Sequence, residues 1–242
     1  MDEVVSTQQE FPERIQSGDS NRVVVAEHQS NGRGRFDRKF ESARSLGLTF
    51  SLGLFPSRQR KEWSWIPLLI GSAIADSLND HLFSAKVIST KWPNDIVDAS
   101  GRKFGGILVE FRGEGLVVGI GINVRERAEE LAVPHAISLA MVSSRVKLGE
   151  ISREDVLAMI LDGIRQRYEY WLEHGADERE LSKYRGSSLT LKDEVKREVR
   201  CELPGGSVIE GRVIDIKADG VLLVQDDSAV HEIHVGDVIH LR

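Results

Sequence analysis

One cysteine, Cys201, stands alone in 242 residues, so neither an intramolecular disulfide nor a multi-cysteine zinc site is available. A lone thiol fits a reducing compartment. No run of about 18 apolar residues could span a bilayer, and no charged-then-apolar signal segment opens the chain. A soluble, cytoplasmic protein is expected. Excess positive charge is missing as well. The formal net charge of −6 argues against a protein that coats DNA or RNA, while leaving room for a local basic loop. Internal repeats, low-complexity tracts, a Walker A sequence and a nucleophile elbow are all absent. The seven histidines lack metal-ligand spacing, and His231 and His234 read as surface residues among short strands. Gly119-Ile120-Gly121-Ile122-Asn123 holds a Gly-x-Gly with no third glycine and no following helix start, so a dinucleotide fingerprint is not supported. It reads instead as a strand passing closely under a ligand, with Asn123 at its end.

What is present is an ordinary globular composition, 40% hydrophobic and 29% charged, long enough for one large domain and a small one. Short strands are expected at 3–7, 22–26, 48–54, 85–90, 105–111 and 116–122, with a helical turn over 8–16 broken by the turn formers at 17–21. Gly113 and Gly115 suit a hairpin between the last two strands. Ile66, Ile70, Ile74, Leu78 and Leu82 recur every fourth position, marking one face of a helix over 65–82. A second long helix starts at Ser152, with Asp155 three places on as a capping pair and Gly175 as its stop. Its buried stripe is Val156, Ile160, Ile164, Tyr168, Trp171 and Leu172. Beyond Gly186 only short alternating strands remain, four or five in about 55 residues, which suggests a small SH3-like barrel. The expected fold class is α+β: a mixed β-sheet domain with helices packed on it over 1–186, then an all-β unit over 187–242.

Three stretches carry chemistry. Gly32-Arg33-Gly34-Arg35-Phe36-Asp37-Arg38 alternates glycine with arginine. Its glycines permit close backbone approach to a ligand, and its guanidinium forks match carboxylate and phosphate oxygens. Such a loop can close over an anionic, phosphorylated small molecule, although Gly-Arg runs also occur in RNA-binding tails. In Lys91-Trp92-Pro93-Asn94-Asp95 the preceding strand ends at Pro93. Two readings stay open there. Lys91 and Asp95 form a surface ion pair over a Trp92 core anchor, or Trp92 walls a ligand slot with Asn94 and Asp95 at its rim. Lys103, just before Gly105-Gly106, is either a solvated hairpin lysine or a cation neutralising charge on a reacting phosphate or carboxylate.

In this order, Gly-Arg-Gly-Arg-x-x-Arg, Lys-Trp-Pro-Asn-Asp, Lys-x-Gly-Gly-Ile-Leu and Gly-x-Gly-x-Asn resemble the biotin–protein ligases, with a likeness running from about Val5 to Arg242. The resemblance implies a class II synthetase-like catalytic sheet followed by an SH3-like barrel. It also implies ATP-dependent formation of biotinyl-5′-adenylate, then transfer of biotin to a lysine of a carboxylase's biotin carrier domain, with Mg²⁺ accompanying ATP. Ser6, Thr7, Gln8 and Gln29 match the polar contacts to biotin, together with Trp92, Arg33, Gly34, Arg35 and Lys103. Arg33, Arg35, Arg38, Phe40, Asn94 and Asn123 match the ATP side. Lys103, Arg35 and Asp95 carry catalysis, and Asp95 is the expected Mg²⁺ ligand or the residue orienting the incoming lysine.

The chain departs from the family pattern in three places. Gln8 replaces the asparagine of Ser-Thr-Asn, Phe40 replaces a tryptophan, and Ser42-Ala43-Arg44-Ser45 replaces Ser-Pro-x-Gly. Phe40 keeps an aromatic face for adenine, with less area and no indole N–H. Gln8 keeps the amide on a longer arm, which is expected to weaken biotin or ATP binding. Since the Ser-Thr stretch begins at residue 6, no DNA-binding domain is expected, and a homodimer is consistent with the resemblance. The rival readings are a lipoate- or octanoate-handling ligase or transferase of the same fold, and a non-catalytic nucleic-acid module.

Overall fold

Six strands, β1 (Arg22–Ala26), β2 (Leu48–Leu54), β3 (Ile88–Lys91), β4 (Asp95–Asp98), β5 (Lys103–Arg112) and β6 (Gly115–Ile122), form one sheet in the order β1-β2-β6-β5-β4-β3. The computed structural model describes all residues except 17–21, 39, 41–42, 193–197 and 242. Ladders between these strands are antiparallel, and parallel pairing enters through isolated bridges such as Val4↔Gln29 and Ile15↔Gly113.

Side chains alternate between the two faces of a strand, and this chain uses the alternation sharply. Phe50, Leu52, Val118, Ile120 and Ile122 join the main apolar core. The intervening positions Thr49, Ser51, Gly53, Gly119 and Gly121 are small or polar and stand in register across β2 and β6. One face of the sheet therefore takes helices, and the other is left shallow enough to receive a chain segment or a ligand.

The helical layer consists of α1 (Ile66–Leu82), α2 (Ser144–Lys147), α3 (Arg153–His174) and α4 (Glu178–Ser187). Proline at the first turn suits the start of α1, where no intrahelical partner for its nitrogen is needed. Ser152 and Asp155 cap α3 reciprocally, and Gly175 ends it at φ 73°. Arg167 of α3 pairs with Glu180 of α4 at 2.7 Å and with Asp76 of α1 at 3.1 Å, a buried ionic tie holding the three helices together. Asn79 sets where β3 begins: its Oδ1 accepts the N–H groups of Val87 and Ile88, both at 2.9 Å.

A second sheet comprises β7 (Glu198–Glu202), β8 (Val208–Ile216), β9 (Leu222–Gln225), β10 (Val230–Ile233) and β11 (Asp237–His240), in the order β10-β9-β8-β7-β11. This is the small SH3-like unit. Its apolar residues, among them Val199, Cys201, Val213 and Leu222, are continuous with the main core. The unit docks through Trp92 Nε1, which donates to the Gly220 carbonyl at 3.0 Å, and through Ser64 Oγ, which donates to the Asp219 carbonyl at 2.6 Å.

The long helices, the 105–122 hairpin and the five C-terminal strands follow the sequence reading. Residues 3–7 do not form a strand. Val4 makes one bridge to Gln29, and hydrogen-bonded turns follow over 7–10, presenting Ser6–Gln8 to the sheet. The strand expected at 85–90 starts later because Asn79 takes up the Val87 N–H. Extended structure does not stop at Pro93 either: β4 resumes two residues on and pairs with both β3 and β5. Helix α4 is an addition to the sequence reading, its start capped by Asp177 accepting from Glu180 N. The turn cluster at 17–21 and Ser42 lie outside the described residues.

Candidate active site

The shallow face of the sheet opens into a cleft of about 550 Å³. Its floor is made by Gly106 and Leu108 of β5 and by Gly119 and Gly121 of β6. The absence of side chains on that floor is occupied by its neighbours. A Cβ at Gly119 would meet the Gln8 amide carbon at 2.8 Å, and one at Gly121 would meet the Phe40 ring at 2.3 Å. Gln8 thus crosses the β5–β6 pair and donates from Nε2 to the Leu108 carbonyl at 3.1 Å. The longer arm is taken up in reaching that carbonyl.

One end of the cleft is polar and buried. Gln29 Oε1 accepts from Thr7 N at 2.7 Å and from Thr7 Oγ1 at 3.1 Å, and Thr7 Oγ1 also meets Ser51 Oγ at 2.7 Å. Ser6 lies beside them, 1% exposed. This cluster presents fixed donors and acceptors to a small polar ring.

The basic loop folds back on itself, with Phe40 N donating to Gly32 O at 3.0 Å and Gly34 N to Arg38 O at 2.7 Å. Phe36 sits at its tip with φ 53°, its exposed ring beneath the guanidiniums of Arg35 and Arg38. Arg35 reaches into the cleft, donating to Asn94 Oδ1 at 3.1 Å and to Gly236 O at 3.1 Å, and pairing with Asp237 at 3.3 Å. Arg38 pairs with the other Asp237 oxygen. Arg33 pairs with Glu110 at 2.8 Å. Burial pushes the Arg35 guanidinium below its ordinary value, while the Asp237 and Asp95 carboxylates hold it up.

Lys103 Nζ meets Asp95 Oδ1 at 2.5 Å beneath Gly106, whose missing side chain leaves room for the pair. The Lys91–Asp95 surface pair does not form. Lys91 stands opposite Asp95 across β3 and β4 but turns into the cleft, and Asp95 goes to Lys103. Lys103 is accordingly not a solvated hairpin lysine. Asn94 donates to Ile107 O at 2.7 Å, and Asn123 donates to Lys103 O and Ile137 O at 3.3 and 3.2 Å, so both amides are held by backbone. Trp92, 3% exposed, combines the two readings of its motif by lining the cleft and anchoring the second sheet.

Ser6, Thr7, Gln8, Gln29, Arg33, Gly34, Arg35, Arg38, Phe40, Trp92, Asn94, Asp95, Lys103 and Asn123 all line this one cleft. Sequence reasoning missed Asp237, His135 and the cleft-facing role of Lys91. For Asp237, nothing local signals a carboxylate that meets an arginine 202 positions away. Among the described residues no group of three His, Cys, Asp or Glu side chains could hold a metal ion. No helix among them is long and apolar enough to cross a membrane.

The profile of the biotin/lipoate A/B protein ligase family matches residues 2–125, and that of the biotin protein ligase C terminal domain matches residues 197–241. By sequence the chain is 33% identical over 223 residues to a biotin--[acetyl-CoA-carboxylase] ligase of Mycobacterium tuberculosis, covering 91% of this chain and 79% of that one. It is 28% identical over 242 residues to the bifunctional ligase/repressor BirA of Escherichia coli, covering 98% of this chain and 71% of that one. By structure it is similar to a biotin protein ligase from Aquifex aeolicus in complex with biotin and ATP. The TM-score is 0.80 at 28% identity, over 100% of this chain and 97% of that one.

Proposed function

Because the chain belongs to the biotin/lipoate A/B protein ligase family, we infer that its cleft joins biotin to a protein at the expense of ATP. The activity is that of an ATP-dependent biotin–[acetyl-CoA-carboxylase] ligase rather than a lipoate-handling enzyme. The observation that carries this reading is the convergence of the basic loop, the Lys103–Asp95 pair and the Ser6–Thr7–Gln29 cluster on one cleft.

In the division of labour we propose, Ser6, Thr7, Gln8 and Gln29 hold the ureido ring, and Trp92 and Gly34 border the biotin chain. The biotin carboxylate attacks the α-phosphorus of ATP, forming a P–O bond as the bond to pyrophosphate breaks. Lys103, with Arg33 and Arg35, neutralises the charge that accumulates on the phosphorus oxygens. Phe40 packs on adenine, while Asn94, Asn123 and Arg38 contact the nucleotide. Closure of the loop over the mixed anhydride excludes water. The carrier lysine amine then attacks the acyl carbon, an amide forms, AMP leaves, and Asp95 orients the amine.

Mg²⁺ prefers one or two carboxylates plus substrate phosphates to an all-protein cage. A single carboxylate such as Asp95 fits an ion that ATP brings with it. When bound, that ion neutralises phosphate charge. The same reading makes residues 1–186 the catalytic unit and 187–242 an accessory one, in a cytoplasmic homodimer. The net charge of −6 supports a ligase that binds no operator, which a gel shift with the purified protein checks. The decisive assay is pyrophosphate release from ATP: it should require biotin, and release supported by lipoate or octanoate instead would refute the assignment.

A further inference from the structure

Glu110 has no part in the reaction as described, yet it joins two pieces of the site that are far apart in sequence. Side chains of β5 alternate, so Gly106, Leu108, Glu110 and Arg112 share the face that floors the cleft. One Glu110 oxygen meets Nη1 of Arg33, in the basic loop, at 2.8 Å. The other accepts from Nη2 of Arg112 at 2.6 Å. Arg112 is itself committed. Its Nη1 donates to the carbonyls of Gln8 at 2.8 Å and Phe11 at 2.9 Å, in the segment that presents Ser6, Thr7 and Gln8 to the sheet.

The two ends of this chain of contacts differ in freedom. The Arg112 and Glu110 side chains are only 12% and 20% exposed, so their pair is largely shielded from water and fixes the carboxylate in one orientation. Arg33 is 44% exposed and hangs from a loop. The bonds from Phe40 N to Gly32 O and from Gly34 N to Arg38 O shape that loop without tying it to the sheet. Arg35 and Arg38 tie it to Asn94, Gly236 and Asp237. Arg33 supplies its ion pair to β5, and Glu110 is the post that receives it.

We propose that Glu110 is a positioning residue: backed by Arg112, it anchors Arg33 to β5, and the loop retains biotinyl-adenylate only as well as this anchor holds. Its effect reaches the intermediate through Arg33. The same carboxylate gives the loop and the Ser6–Gln8 segment a common base on the sheet. This rests on the ligase reading above and adds a residue outside the binding machinery to it.

The test uses the full chain with Arg33→Ala, Glu110→Gln and the two combined. Glu110→Gln keeps the shape and one acceptor oxygen but removes the charge. Escape of the adenylate is read as biotinylation of a bystander protein per biotin-dependent pyrophosphate released. An ion pair with one exposed partner predicts a rise of about fivefold in Glu110→Gln. Calorimetric affinity for biotin should stay within about twofold, which also shows that the variant is folded. In the Arg33→Ala background Glu110→Gln should add nothing, because the group it acts through is gone. Unchanged escape in Glu110→Gln would overturn the proposal, as would an effect of equal size with and without Arg33, the mark of a merely structural role. If the wild type released no biotin-dependent pyrophosphate, the ligase reading would fall separately. Hydrogen exchange of residues 32–38 in the free protein would then decide the anchor. Faster exchange in Glu110→Gln than in wild type, absent in the Arg33→Ala background, supports it, and equal exchange sinks it.

Discussion

Gly121→Ala separates the cleft's role in binding from its role in stability. The added Cβ would lie 2.3 Å from Cζ of Phe40 and 2.4 Å from Cε1, whereas carbon atoms in contact settle at about 3.5–4.0 Å. One partner has to retreat by more than about 1 Å. β6 is paired on both sides, by β2 and by β5, and its neighbouring side chains are buried in the core. Phe40 hangs from a loop, so the ring is the part that moves. Losing its packing on adenine costs about 1–2 kcal/mol, a five- to thirty-fold rise in KM for ATP. KM for biotin should change less, because the hydrogen bonds among Thr7, Ser51 and Gln29 do not involve the Phe40 ring. Gly105→Ala, on the neighbouring strand β5, is the control. There the new Cβ would sit 2.0 Å from the Gly121 carbonyl oxygen, and only a parting of β5 from β6 relieves it. That overpacking costs about 1–3 kcal/mol of stability, lowering Tm by about 2–4 °C per kcal/mol. Steady-state kinetics and thermal melts of the two variants decide the matter. An unchanged KM for ATP in Gly121→Ala, or a KM for biotin that rises equally, would show that Phe40 is not the adenine wall.

Further outcomes follow from the same geometry. Lys103→Ala should slow biotinyl-adenylate formation by about 10²–10³-fold in a single-turnover pyrophosphate assay, whereas near-normal release would remove it from catalysis. Arg35→Ala, stripped of its bonds to Asn94, Asp237 and Gly236, should let the adenylate escape and biotinylate bystander proteins indiscriminately, visible on a streptavidin blot. Burial raises the Glu126 carboxyl above its ordinary 4.5 against the pull of the Val124 N–H. The folded state then holds this proton where the unfolded chain has lost it. Its contribution to stability is full below that ordinary value and is lost as pH rises through the raised one. Glu126→Gln should therefore gain thermal stability relative to wild type as pH increases through that window, and a pH-independent difference in Tm would contradict this. Burial pushes the Cys201 thiol up to about 11, so maleimide labelling of the native protein at neutral pH should be slow and should accelerate on unfolding.

How much of this was legible beforehand depended on whether the signal was local. The helices announced themselves through apolar spacing and, for α3, through the Ser152–Asp155 cap, because those forces act within a few residues. The small-residue alternation in 48–54 and 116–122 also showed, since a strand buried on both sides still distinguishes the face that takes helices from the face that takes a ligand. β4 was hidden because Pro93 is a sound stop signal for β3 but carries no information about pairing that resumes two residues later. The partner of Asp95 could not be read from spacing alone, since Lys91 and Lys103 are both plausible and only the fold brings Lys103 beneath Gly106. Asp237 was invisible for the same reason at longer range: its role comes from the docking of the second sheet through Trp92 and Gly220.

Transfer of labelled biotin to the lysine of a carboxylase carrier domain, with lipoate as competitor, addresses the function most directly. Label should appear on that lysine only with ATP, should be accompanied by AMP and pyrophosphate, and should be undiminished by excess lipoate. Label that appears without ATP, or that lipoate displaces, would contradict the biotin-ligase assignment.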